Sequence, residues 1–169
     1  MSKSTSEPIR PAKPGDAQII RALVRSAYAK WVPMLGREPL PMHADYERAI
    51  RDHEIDLLHL DGQVVALIEL IRNSECLFIE NAAVAPEHQG QGIGRRLLAH
   101  AERKAWIAGL PEIRLLTNAV FESNIRLYQS IGYRIDRQEP FMGGAAVYMS
   151  KKTAPPDPSP ATGNWEFRR

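Results

Sequence analysis

Leu77-Phe78-Ile79-Glu80-Asn81-Ala82-Ala83-Val84 and, five residues on, Gln89-Gly90-Gln91-Gly92-Ile93-Gly94-Arg95-Arg96 decide the fold of this chain. The first run is apolar and strand-like, and the second leads directly into a helical pattern. A strand, a glycine-rich loop and a helix in that order build an anion pocket. The first N–H groups of a helix have no partner within it, the macrodipole adds partial positive charge there, and glycines let a phosphate approach without a Cβ in the way. Arg95 and Arg96 set two full charges beside the pocket. The stretch reads as a seat for a diphosphate. Its plain alternative is a turn that only starts a helix, and three glycines in five positions beside two arginines argue for a ligand.

Two familiar glycine signatures fail here. Counting from Gly90, the dinucleotide pattern Gly-x-Gly-x-x-Gly meets Arg95 where its third glycine belongs, and a P-loop needs Gly-Lys and then Ser or Thr where the chain has Gly94-Arg95-Arg96. The spacing Gln/Arg-x-x-Gly-x-Gly/Ala does fit, through Gln89, Gly92 and Gly94. Further on come Leu115-Leu116-Thr117-Asn118, then Asn124-Ile125-Arg126-Leu127-Tyr128, then Gly132-Tyr133. Across roughly residues 63–150 these landmarks, in this order, resemble the GNAT superfamily of N-acetyltransferases.

Working outward, Ile55–Leu60 and Gln63–Ile71 flank Asp61-Gly62, a two-residue hairpin signal, and Asn73-Ser74-Glu75 turns into the strand that ends at Val84. Ile93, Leu97, Leu98, Ala101, Ala105 and Ala108 line one helix face, closed by Gly109 and Pro111. A strand over Ile113–Thr117, a helix over Glu122–Ser130 and strands over Tyr133–Arg137 and Ala145–Lys151 complete the pattern. Upstream, Ile9–Ala12 reads as a short strand. Ile20, Leu23, Val24, Ala27, Tyr28 and Trp31 mark a helix over Asp16–Lys30, and Tyr46 and Ile50 a second over His43–His53, with a loop at 32–41 between them. Residues 1–8 read as a flexible leader, 9–152 as one domain, and the tail 153–169, with four of the 13 prolines, as a flexible extension.

The resemblance implies an α/β fold: a mixed, mostly antiparallel sheet of about seven strands, helices on both faces, and a splayed parallel pair at the cofactor site. It further implies acetyl-CoA as co-substrate. Its pantetheine arm would pair with the backbone of Ala82, Ala83 and Val84, and its diphosphate would lie on Gln89, Gly90, Gln91, Gly92, Ile93 and Gly94, with Arg95 alongside. The reaction implied is direct attack of a primary amine on the thioester in a ternary complex. Glu80 stands where some family members keep a general base; a half-exposed strand carboxylate in a salt bridge is its ordinary alternative. Tyr128 stands where the family keeps a general acid for the departing thiolate, although Ile125, Tyr128 and Ile131 also form a packing stripe. Asn124 would bind the cofactor arm or merely sit near a helix cap.

The acceptor is less legible. In this fold the segment between the first two helices and the connection between the last two strands border the acceptor, which makes Trp31, Met34, Leu35, Arg37 and Tyr46, and Phe141 and Met142, candidates for its wall. A core or lid role is their ordinary alternative. Asn118, at the end of its strand, is a further candidate. Small amines, amino acids, aminoglycoside-like drugs and peptide amino termini all stay open. So do two other functions: an acetyl-CoA-binding sensor without turnover, and transfer of a longer acyl chain.

Composition narrows the rest. At 44% hydrophobic and 25% charged the 169-residue chain is ordinary globular material, enough for one substantial core. A net charge of +2 gives no argument for nucleic acid. Cys76 stands alone, so no disulfide forms within the chain, and it reads as a small buried hydrophobe. The five histidines lack paired ligand spacing, so no metal is expected. Without a secretory signal or a run of 18 apolar residues the chain reads as soluble and cytoplasmic, with no membrane partner. The family resemblance adds a possible homodimer. Tyr148 reads as a strand core residue.

Overall fold

The computed structural model describes residues 8–156. Most of the expected leader, and the expected tail beyond residue 156, lie outside this range. In chain order the elements are β1 (Arg10–Pro11), α1 (Ala17–Tyr28), α2 (Val32–Leu35), α3 (Tyr46–Asp52), β2 (Glu54–Leu60), β3 (Gln63–Arg72), β4 (Cys76–Val84), α4 (Ile93–Ile107), β5 (Glu112–Asn118), α5 (Glu122–Ile131), β6 (Arg134–Phe141) and β7 (Gly144–Lys152). The strands form one seven-stranded sheet in the order β1-β2-β3-β4-β5-β7-β6. Every neighbouring pair is antiparallel except β4–β5.

Helices cover both faces, and the strand sequences show why. Along β3 every residue from Val65 to Leu70 is buried, which is what a strand packed on both sides requires. On one face Leu57 and Leu67 meet Ile20, Leu23 and Val24 of α1 and Ala49 of α3. On the other, Leu58, Ala66 and Ile68 meet Leu97, Leu98 and Ala101 of α4. Each fully buried Leu or Ile among these contributes about 1.5–3 kcal/mol. The Asp61-Gly62 turn is a two-residue hairpin with both residues at positive φ (51° and 77°). A second such turn, Met142-Gly143 at 47° and 81°, joins β6 to β7.

Three departures from the sequence reading have local causes. The expected helix at His43–His53 begins only at Tyr46, because the Asp45 carboxylate accepts the Arg48 N–H at 3.0 Å and caps it there. Part of the expected loop coils into the four-residue α2, which Gly36 ends in a left-handed conformation at φ 67°. The strand expected to stop at Arg137 continues to Phe141, since β6 is an edge strand where Pro140 needs no ladder hydrogen bond. Tyr148 is also not a core residue. It is half-buried, with the Arg137 guanidinium 3.7 Å above its ring. Thr153, assigned to the tail, is held by both its N–H and its hydroxyl on the carbonyls of Pro111 and Leu110. No helix among the described residues is long and apolar enough to cross a membrane.

Candidate active site

The site opens where β4 and β5 part. Their parallel pairing covers only Cys76–Ile79 against Glu112–Leu115, after which β5 goes on beside β7 and β4 beside β3. A register shift marks the parting: Ile79 pairs with Leu70 and Asn81 with Glu69, so Glu80 is an extra residue, a β-bulge. The bulge reverses the alternation of faces. Leu77 and Ile79 enter the α4 side of the core before it, and Ala82 and Val84 pack there after it. Ala82–Val84 thus keep β3 on one edge and face an open cleft on the other.

That cleft, about 460 Å³, is floored by Ala82, Ala83 and Val84 and closed at one end by the glycine loop. Gly90 and Gly92 hold φ of 74° and 83°, the left-handed region where a side chain is strained. Gly92 is the residue from which α4 starts. Gly94 serves differently: a Cβ there would lie 3.3 Å from Leu127 Cδ2, so its smallness lets α4 approach α5. Gln89 ties the loop down, donating its amide to the Val84 carbonyl at 2.9 Å and accepting Lys30 Nζ at 2.7 Å. Arg95 lines the cleft, its guanidinium on Ser130 Oγ at 2.8 Å. Two loop residues stand outside the lining. Gln91 is exposed, its amide on the Glu87 carbonyl, and Ile93 points its side chain into the core. For Ile93 only the main chain is left to meet a ligand.

A smaller cavity of about 180 Å³ adjoins the cleft, and Tyr28, Ala82, Asn124 and Tyr128 line both. Its walls are largely apolar: Leu35, Leu40, Phe78, Leu116, Phe121 and Phe141. Glu80 lines it from the bulge, exposed and without a hydrogen bond or ion pair among the described residues, so the salt bridge weighed as its ordinary role has no counterpart there. Tyr128 is half-buried on α5. Burial pushes its phenol up to about 12, so it keeps its proton at neutral pH. Its hydroxyl has no hydrogen-bond partner among the described residues. Tyr28, by contrast, donates to Asn81 Oδ1 at 2.7 Å, and burial pushes its phenol higher still.

The expected acceptor residues divide. Leu35, Asn118 and Phe141 line the smaller cavity, with Asn118 Oδ1 also accepting the Val120 N–H at 3.1 Å to turn the chain into α5. Trp31 lines the cleft instead, buried and packed on Phe121 with ring centroids 4.5 Å apart. Met34 is 58% exposed and lines neither space.

The model of the acetyltransferase (GNAT) family matches residues 19–133, the glycine loop and both cavities' shared wall included. The chain belongs to the GNAT family. No curated protein sequence matches it closely enough to add to this. Solved structures share the fold. The PaiA N-acetyltransferase of Thermoplasma acidophilum, solved with coenzyme A, is 19% identical, with 86% of this chain and 98% of that chain covered and a TM-score of 0.74. The ribosomal-protein-alanine N-acetyltransferase of Escherichia coli is 20% identical over 87% and 94% of the two chains (TM-score 0.68). A variant of the spermidine N-acetyltransferase SpeG of Vibrio cholerae is 20% identical over 86% and 93% (TM-score 0.66).

Several cavity residues of this GNAT chain carry no local signal in its sequence. Lys30 reaches the loop from the end of α1, 59 residues away from Gln89. Phe78, Leu40 and Phe121 come together from three separate segments. Lys30, Leu40 and Phe78, like Tyr28 and Arg37, stand in stretches that the sequence patterning marks as helix, loop or strand, but that patterning does not show that they meet at one cavity.

Proposed function

We propose that this chain is an acetyl-CoA-dependent N-acetyltransferase in which the larger cleft takes the cofactor and the smaller cavity takes the amine. The observation that carries this reading is the shared wall of Tyr28, Ala82, Asn124 and Tyr128, because a thioester lying there is open to attack from the second space. The main chain of Gln89–Gly94, with Arg95 beside it, holds the diphosphate, and the free edge of Ala82–Val84 pairs with the amides of the pantetheine arm. Asn124, on the shared wall, hydrogen-bonds that arm.

The amine nitrogen attacks the thioester carbonyl carbon. A C–N bond forms, the C–S bond breaks, and the sulfur leaves with the electron pair. An alkylammonium must first lose a proton, which at neutral pH costs roughly 4 kcal/mol for an ordinary amine. Glu80, unpaired at the cavity wall, accepts that proton directly or through water. An N–H of Ala83 or Val84 steadies the oxyanion. Tyr128 donates to the departing sulfur. Full proton transfer from a phenol near 12 to an ordinary thiolate runs uphill by about 5 kcal/mol. Tyr128 therefore acts first as a hydrogen-bond donor to the departing sulfur.

The test is thiol release from acetyl-CoA by purified protein over a panel of amines. Acceptor-dependent release that Tyr128→Phe lowers about 10²-fold supports the reading. Tight cofactor binding with no acceptor-dependent release, by any amine, sinks it in favour of a sensor. A homodimer acting in the cytoplasm completes the proposal. It rests on family resemblance and on the lone Cys76, and light scattering checks the dimer.

A further inference from the structure

The smaller cavity contains two charged side chains of opposite sign, Glu80 and Arg37, in an otherwise neutral lining. Arg37 is half-buried, and its only hydrogen bond among the described residues is a long one, 3.4 Å, from Nη1 to the Glu38 carbonyl. No carboxylate among the described residues answers it. The nearest in sequence, Glu38, is already held by Arg25 at 2.8 Å and by His43 at 2.8 Å. A guanidinium stays charged throughout the physiological range, and holding it partly out of water without an anion is costly.

The backbone around Arg37 is fixed. Gly36 turns it out of α2 at φ 67°, Pro39 and Pro41 restrict the chain beyond it, and the Tyr46 hydroxyl donates to the Pro41 carbonyl at 2.6 Å. The planar guanidinium fork of N–H donors matches a carboxylate in two-point geometry.

We infer that the acceptor is a small molecule that carries a carboxylate as well as its primary amine on an apolar frame, with Arg37 selecting the carboxylate. This rests on the reading of the smaller cavity as the acceptor site. The ammonium lies toward Glu80 and Tyr128, and the carboxylate on the adjoining carbon toward Arg37. Leu35, Phe78 and Phe141 are left to enclose the apolar side chain. An apolar amino acid has this chemistry. The transfer gives the N-acetyl amino acid, coenzyme A thiol and one proton.

A polyamine fits less well. The space beyond Glu80 is lined by Asp45, Asp52 and Glu69, but each is engaged: Asp45 caps α3, Asp52 pairs with Arg48 at 3.1 Å and Glu69 with His53 at 2.6 Å. A peptide amino terminus presents a neutral amide where Arg37 meets charge.

Thiol release with L-leucine and L-phenylalanine, set against isoamylamine, phenethylamine and spermidine, tests the inference. The amino acids should exceed their decarboxylated counterparts in kcat/KM by about 10- to 10²-fold, the worth of a hydrogen-bonded charge. Arg37→Gln should collapse that preference, mainly through KM, while Arg37→Lys restores part of it. An unchanged affinity of the Arg37→Gln protein for acetyl-CoA shows that it is folded. Equal or better turnover of the decarboxylated amines or of spermidine overturns the inference and leaves the transferase reading intact. If no amine releases thiol, calorimetric titration of the amino acids into coenzyme A-saturated protein still decides. Binding that Arg37→Gln abolishes supports the carboxylate site, and absence of binding sinks it.

Discussion

The glycine-loop cleft and the cavity beside it are built by opposite means. The cleft draws its proposed grip from one contiguous stretch, Gln89–Gly94, and from main-chain groups whose orientation is set by backbone conformation. The cavity takes its walls from the α2 segment, β4, β5, α5 and the end of β6, and it works with side chains. A grip made of backbone fails when φ is disturbed and tolerates most changes of side chain. A cavity made of side chains behaves the other way. The change that most sharply separates them is Gly92→Val. At φ 83° a β-branched residue is strained, and relieving the strain turns the first N–H groups of α4 away. Strain and lost contacts together predict a rise of about 10³-fold in the Kd for acetyl-CoA, measured by calorimetry. Unimpaired cofactor binding would remove the main-chain grip from the account.

Glu80→Gln probes the other side. The variant should bind acetyl-CoA normally and lose about 10²-fold in kcat/KM for the amine at neutral pH, the lower end for a general base because water reaches this exposed position. Its deficit should shrink as pH rises toward the pKa of the amine, which then arrives already deprotonated. A deficit that stays constant with pH would leave Glu80 a cavity wall and no base.

The same contrast explains how much could be read before the structure. The loop, the crossover helix and the parallel pair were legible because Gln89, Gly92 and Gly94 and the apolar face of α4 are local, periodic features. The hairpin at Asp61-Gly62 was legible for the same reason. The bulge at Glu80 was not. Leu77–Val84 alternates no more clearly than any buried strand, and the extra residue shows only when the register with β3 is counted. Lys30 on Gln89, and Trp31 turned to the cleft and away from the acceptor, depend on how α1 returns across the sheet. Met34, chosen because its segment borders the acceptor in this fold, is exposed, since the segment's place in the chain does not say which face of a one-turn helix is covered. The acceptor cavity stayed obscure because its residues meet only in three dimensions.

A third change tests whether the two halves of α4 are separable. Its middle is bound to the sheet by Asp56, which accepts from His100 and Lys104, each at 2.8 Å. Burial pushes the Asp56 carboxyl up, but the hydrogen bonds from His100 and Lys104, together with the charge attraction of those two groups, outweigh it and hold it below the ordinary range. A depressed carboxyl contributes stability above the pKa it has in the unfolded chain, and that contribution is lost as pH falls through the folded value. The protein should therefore melt lower in acid. Asp56→Asn should cost about 2 kcal/mol at neutral pH and flatten the acid limb, with acetyl-CoA affinity kept. A variant that melts normally but binds acetyl-CoA poorly would mean that the core of α4 and its loop act as one unit.

The smallest effect belongs to Gly94→Ala, and it separates space from conformation within a single loop. Gly94 has ordinary helical geometry, so alanine meets no φ penalty there and gains about 1 kcal/mol of helix propensity. Against that stands a Cβ 3.3 Å from Leu127 Cδ2, the tip of a half-buried, flexible side chain that can give by a few tenths of an ångström. The two terms nearly cancel, and the melting temperature should move little in either direction. Acetyl-CoA affinity should fall by about 10-fold at most, since the methyl narrows the cleft without turning any N–H group away. If Gly94→Ala proved as damaging as Gly92→Val, the loop's function would lie in the close approach of α4 to α5. The left-handed turn at Gly92 would then be incidental to it.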